Sequence, residues 1–270
     1  MSNYDPNAYG QYGAGVVRAD QASIDQGLRS YMLGIYNHMS IGLAITALVA
    51  VGVAMLAMTG DVGSAAKNAQ GVALRLAGES RYLTSFGALL YASPLKWVIM
   101  LAPLAFILVL SWRFDKMSYT ALLGTFWAFA GVMGLSMGSI FLIYKLGSVG
   151  QVFFITAASF GAMSLFGYTT KKDLSGMGKF LMMGLFGLII ASLVNIFLQA
   201  SVLQFAISVI GVLIFAGLTA YDTQRLKEEY YYVAGDATMI GKASISGALS
   251  LYLNFINMFQ MLLSLFGNRE

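Results

Sequence analysis

Apolar residues along this chain come in long unbroken runs, not in the alternation of a half-buried strand. Seven such runs can be marked, at about Met39–Thr59, Leu95–Trp112, Met117–Tyr144, Val149–Tyr168, Phe180–Leu198, Val202–Tyr221 and Ala243–Phe266. A helix needs roughly 20 apolar residues to cross a bilayer. Continuous runs of this length favour helices over barrel strands. The pattern predicts an all-α fold, a seven-transmembrane-helix bundle. Pro103 falls inside the second run and is expected to kink it. Residues 1–30, rich in Asn, Gln, Gly and Tyr, read as a flexible N-terminal tail, and residues 31–270 as the membrane domain. Most connections are short, so neighbouring spans should pack antiparallel. The exception is 61–93, an extended first loop whose aromatic end, Tyr82 to Tyr91, is expected to form an interfacial helix.

Composition sharpens this picture. Apolar residues make up 58% of the 270 positions and charged residues only 10%, too few to cover a soluble domain of this size. Mean hydropathy is +0.73. Seven spans would use about half the chain, which leaves no room for a large catalytic domain outside the bilayer. An enzyme is not expected. The chain has no cysteine and one histidine, His38, which excludes thiolate and multi-histidine metal sites. Net charge is +4, but no basic cluster with interleaved aromatics suggests nucleic acid. The expected partner is the lipid bilayer. Lys and Arg number 10 on one set of alternate connections and 6 on the other, together the 16 of the composition. Cytoplasmic loops carry the excess, which places the N-terminus in the cytoplasm.

Ionisable residues inside spans are costly and tend to be functional. Asp222, at the edge of the sixth run, is the one acid placed to face a bundle interior. It is either a solvated carboxylate paired with Arg225 at i,i+3 or a buried group whose protonation changes packing. The seventh run carries a second signal. Ser246, Ser250, Asn254, Asn257, Gln260 and Ser264 recur at helical spacing and fall within an arc of about 120° at 100° per residue. Such a face either glues helices by hydrogen bonds or lines a hydrated path. Facing lipid is the least favourable arrangement, so the seventh helix is predicted to be central. Gly134-Leu135-Ser136-Met137-Gly138 matches a G-x-S-x-G pattern. Its only possible base, His38, lies at the end of another span, so Gly131, Gly134 and Gly138 are better read as close-packing positions. No lysine lies inside the seventh run to form a Schiff base.

Three motifs in order carry a family resemblance: Thr170-Lys171-Lys172-Asp173-Leu174-Ser175, Ala220-Tyr221-Asp222, and Leu251-Tyr252-Leu253-Asn254-Phe255-Ile256-Asn257. With them, residues 30–268 resemble the Bax inhibitor (transmembrane Bax inhibitor-motif) family, in its bacterial branch. The resemblance implies a bundle with the last helix at its centre, in a bacterial inner membrane. It implies a pH-sensitive calcium leak, or ion homeostasis, with transported Ca2+ and no cofactor. The alternative it implies is a regulator of another membrane protein, such as a membrane-bound protease. The family's sensor is a pair of aspartates engaged by an arginine. Asp222 takes the first position, Arg113 the arginine, and Asn254 stands where the second aspartate would be. Those two residues would also be the metal ligands, and Ser246, Ser250, Asn257 and Gln260 would line the cavity. With Asn254 the pair holds one charge, so burial and not like-charge repulsion must tune Asp222.

Overall fold

In the computed structural model, described for residues 8–76, 81–113 and 116–269 and for side chains from residue 24 except Ser111, helices account for nearly all of the fold. The long helices are α1 (Ala8–Ala57), α3 (Leu95–Arg113), α4 (Tyr119–Met137), α5 (Leu146–Thr169), α6 (Ser175–Leu198), α7 (Ser201–Val233) and α8 (Ala237–Phe266). A short α2 (Ser85–Gly87) continues as a π-helical turn, Ala88–Ala92. Among the described residues, six helices are long and apolar enough to cross a membrane. A seventh span results if Ser85–Ala92 and Leu95–Leu110, bent by 63°, are taken together. The chain is an all-α membrane bundle.

Several boundaries differ from the sequence reading. The first helix already runs where a tail was expected up to residue 30, and Leu28, Tyr31, Met32 and Ile35 are buried along it. Their spacing repeats one helical face, while the polar residues between them point away. The sharp bend before α3 falls between Ala92 and Leu95, whereas Pro103 stays inside a continuous helix. Pro94 explains the site of the bend, because proline disfavours helical backbone at the residue before it, and Ser93 is extended there. The segment expected on the membrane surface packs instead against other helices. The Tyr91 hydroxyl donates to the Leu135 carbonyl at 3.1 Å, and Gly87 lies against the Ala57 carbonyl with no space for a Cβ. A two-residue antiparallel pairing of β1 (Met58–Thr59) with β2 (Tyr82–Leu83) closes the first loop.

The last helix is the hub. It packs against α1, α4, α5 and α7, and half of its most apolar stretch is buried (50%), against 11% for α6. Tyr252 is fully buried, with edge-on contacts to Phe126 and Phe129 of α4 at 5.7 Å each. Its hydroxyl lies 2.6 Å from the Thr46 hydroxyl on α1. Thr46 reaches the carbonyls of Gly42 (3.0 Å) and Ala130 (2.9 Å). Carbonyls only accept, so Thr46 gives them its proton and Tyr252 donates to Thr46. On the other flank, Phe255 meets Phe153 and Phe160 of α5. The two ends of α8 are finished differently. The Asp236 carboxylate caps the first turn by accepting from the backbone N–H groups of Thr238 and Met239. Past the last turn, the Asn268 N–H donates to the Ser148 hydroxyl and the Lys145 N–H donates to the Asn268 carbonyl. The outer helix α6 rests mainly on α7.

Two glycines of α5 make contrasting tests of this packing. A Cβ at Gly167 would come 2.1 Å from the Ala220 carbonyl oxygen, which is backbone and cannot swing aside. A Cβ at Gly161 meets nothing within 4 Å. Gly167→Ala is expected to part α5 from α7 and to destabilise the protein by about 1–3 kcal/mol. Gly161→Ala is expected to be neutral or to gain up to about 1 kcal/mol of helix propensity. Melting of the two variants in detergent micelles checks this. Equal melting temperatures would show that the α5–α7 approach is not a constraint.

Candidate functional site

The α7–α8 seam holds the sequence-predicted carboxylate. α7 continues three turns beyond its most apolar part, carrying Asp222 and Arg225 on the side that meets α8. Asn254 Nδ2 donates to Asp222 Oδ2 at 2.8 Å, and Arg225 Nη2 lies 3.1 Å from Asp222 Oδ1. The Asp222 side chain is only 15% exposed, whereas that of Arg225 is 43% exposed. Asn254 is buried. The i,i+3 pair foreseen for a solvated helix end therefore exists, but its carboxylate is largely withdrawn from water. Both oxygens are engaged by donors, one cationic and one neutral, which is how a partly buried carboxylate is tolerated. Arg225 Nη2 also reaches the Ser250 hydroxyl at 3.4 Å.

Arg113 is not brought to this cluster. It is exposed at the end of α3, which packs on α4 and on the 85–92 segment. Among the described residues, the arginine at Asp222 is Arg225, one helical turn along the same helix. The cationic partner thus comes from the same helix as Asp222, and the neutral one, Asn254, from α8.

The polar stripe on α8 is mostly a hydrogen-bonded seam. Ser250 and Asn254 face Arg225 and Asp222 of α7, and Ser264 faces Gln204 Nε2 at 3.5 Å. Asn257 turns back to the Leu253 carbonyl on its own helix, and Gln260 is exposed. Ser246 is half-buried. Ser264 lines a cavity of about 460 Å³ with Asn195, Gln199 and Gln204. The interhelical-glue alternative is what this geometry realises for Ser250, Asn254 and Ser264.

Two polar links that the sequence reading missed support the same region. Gln224, next to Asp222, is buried and clamps the turn before α6. Its Oε1 accepts from the Leu174 N–H and its Nε2 donates to the Lys172 carbonyl, both at 2.8 Å. The 170–175 and 220–222 motifs thus meet through one amide. Within that turn, Asp173 Oδ1 accepts the Ser175 N–H at 2.8 Å. That bond, with the Ser175 hydroxyl and the Lys179 charge, holds the Asp173 carboxyl below the usual range. Thr223, on the other side of Asp222, lies 3.1 Å from the Ser164 hydroxyl of α5, which bonds in turn to Tyr36 of α1. Thr219 and Thr223, four residues apart beside Asp222, were the available signal for the second link.

The G-x-S-x-G residues take no part in a catalytic constellation. His38 Nε2 lies 3.3 Å from the Tyr119 hydroxyl at the start of α4. Ser136 is seventeen residues along that helix, about 25 Å away at 1.5 Å per residue. Gly134 and Gly138 allow close approach, with a Cβ meeting the Thr46 carbonyl at 2.6 Å and the Tyr91 hydroxyl at 2.5 Å. Gly131 faces open space.

Comparison with known proteins identifies the family. The family model described as "Inhibitor of apoptosis-promoting Bax1" matches residues 28–270. The chain belongs to the Bax inhibitor family. A Caulobacter vibrioides protein is 44% identical over 254 residues, 94% of each chain. The inner membrane protein YbhL of Escherichia coli K12 is 41% identical over 245 residues, covering 90% of this chain and 94% of YbhL. A Rickettsia prowazekii protein is 40% identical over 248 residues, with 92% and 93% covered. This is a multi-pass membrane protein of the Bax inhibitor family.

The site generates two expectations. Gln224→Leu removes both partners of a buried turn, leaving the Leu174 N–H and the Lys172 carbonyl unmet. A loss of about 1–3 kcal/mol is expected, with faster hydrogen exchange confined to residues 170–178. Uniform exchange across the bundle would contradict a local clamp. Asn254→Asp sets two carboxyl groups at hydrogen-bond distance, where both cannot ionise cheaply. The variant should gain a further pH-dependent step in α7–α8 spacing, at higher pH than any step of wild type, read by spin labels on the two helices. Superimposable pH profiles would contradict it.

Proposed function

We propose that the protein is a pH-sensitive cation leak of the bacterial inner membrane, with calcium as its principal ion and the N-terminus in the cytoplasm. The location follows the name of its relative YbhL and the orientation follows the excess of Lys and Arg on that side. The observation that carries the reading is the largely buried Asp222 carboxylate, held between Arg225 and Asn254 on the inner face of a spanning helix. A carboxylate in such a position is expensive and marks an ion path by default. With Asp222 ionised, two charge-assisted bonds tie it to Arg225 and to α8, and the seam is closed. Protonation removes the charge that both donors bind, so acidification loosens the seam. One carboxylate and one amide oxygen form a thin ligand set for an ion that takes 6–8 oxygens. Such a pair suits passage and not storage.

Calcium flux into liposomes holding the purified protein tests the reading. Wild type is expected to leak little at about pH 8 and more at about pH 5, since the closing bonds are lost as the carboxylate is protonated. Asp222→Asn leaves Arg225 without its carboxylate at every pH. Hydrogen bonds to a charged group contribute about 1.5–3 kcal/mol, so leak at pH 8 should rise by about tenfold or more and lose its pH dependence. Arg225→Gln should raise leak at pH 8 while keeping some response to acid. Equal leak of wild type and Asp222→Asn at both pH values would make the cluster purely structural.

A further inference from the structure

The bundle is not closed on every side. α1 packs on α4 and α8, and α5 packs on α7 and α8. Between α1 and α5 lies a side-opening cleft of about 760 Å³, walled by Met32, Leu43, Ala157 and Phe160. A second cavity of about 360 Å³ shares Leu43, Ala47, Phe153 and Phe255 with it and continues to Leu146 and Val51. From Arg29 to Ala47 the larger cleft follows 18 residues of α1, about 27 Å at 1.5 Å per residue. That length is close to the hydrocarbon thickness of about 30 Å. Its walls are almost wholly apolar, and two of its hydroxyls, Tyr36 and Ser164, bond to each other. Water has few partners there.

One mouth of the cleft carries a cation, Arg29. Arg29 is exposed on its rim and has no ion-pair partner among the described residues. Lys227 Nζ sits 3.1 Å from the carbonyl of Tyr168, a residue of the same rim, and 5.3 Å from that ring's centre. The nearest acid on α1 is Asp25, one turn before Arg29. An apolar slot as deep as the membrane with a cation at its mouth complements one kind of molecule.

We propose that the α1–α5 cleft holds an acyl chain of an anionic phospholipid whose phosphate sits at Arg29. The inference does not depend on the ion-leak reading. The chain lies over the Tyr36–Ser164–Thr223 link, which ends one residue from Asp222, and so keeps water away from that side of the seam.

The full-length protein, purified in mild detergent, tests this by native mass spectrometry with phosphatidylglycerol or phosphatidylcholine added. Wild type is expected to retain one phospholipid per chain and to prefer phosphatidylglycerol by about tenfold, the effect of one charge-assisted contact. Gly161→Phe places a ring in the open cleft and should lose the lipid. Gly187→Phe on α6 also enters open space but lies outside the cleft, and should retain it. Arg29→Gln should keep a lipid and lose the preference. The proposal is overturned by a wild type that retains no lipid, by equal retention in Gly161→Phe, or by a preference that survives Arg29→Gln. It is equally overturned if wild type is a dimer that Gly161→Phe dissociates, since a second copy would then fill the cleft.

Discussion

A helix that carries a polar stripe from end to end cannot face hydrocarbon, and much of this bundle follows from that constraint. Amide and hydroxyl groups left unmet at membrane depth cost several kcal/mol each, so α8 has to be surrounded. Four helices do this, each with a different device. α4 supplies aromatic edges to Tyr252, α1 a threonine relay, α5 a phenylalanine cluster, and α7 the charged partners of Ser250 and Asn254. α6 is left outside, and its near-continuous apolar surface suits that position.

The same constraint explains why the charged cluster sits where it does. Asp222 and Arg225 lie toward the polar end of α7, where Arg225 keeps contact with solvent while the carboxylate is held inward. An isolated carboxylate at that depth would be neutralised or expelled. With donors on both oxygens it stays. Gln224 and Thr223 flank it and fix α7 to the turn before α6 and to α5, so its orientation depends on two neighbouring elements besides α8.

Most of the architecture was legible in the chain. Long apolar runs give helices, and the 3–4 spacing of Ser246 through Ser264 points to a central last helix because no other placement satisfies it. The start of the first helix was less legible. Asn and Gln dominate the region by composition, yet Leu28, Tyr31, Met32 and Ile35 already form a buried face. Of the site, the i,i+3 spacing already paired Asp222 with Arg225, whereas the pairing with Asn254 was implied by the family resemblance alone. Arg113, implied by the same resemblance, lies exposed at the end of α3, a placement that sequence spacing does not give. Gln224 escaped notice because its partners are backbone groups some fifty residues away, and a single glutamine has no pattern.

The fastening of α8 at its C-terminal end has a mechanical consequence. With Asn268 tied to Ser148 and Lys145, that end of the helix is pinned to the start of α5. α6 rests on α7 and touches little else. Separating Asp222 from Asn254 means moving α7 against α8, and the close approach of Gly167 to Ala220 joins α5 to that movement as packing on α7 joins α6. The exposed face of α6 is thereby linked through α7 to the buried carboxylate.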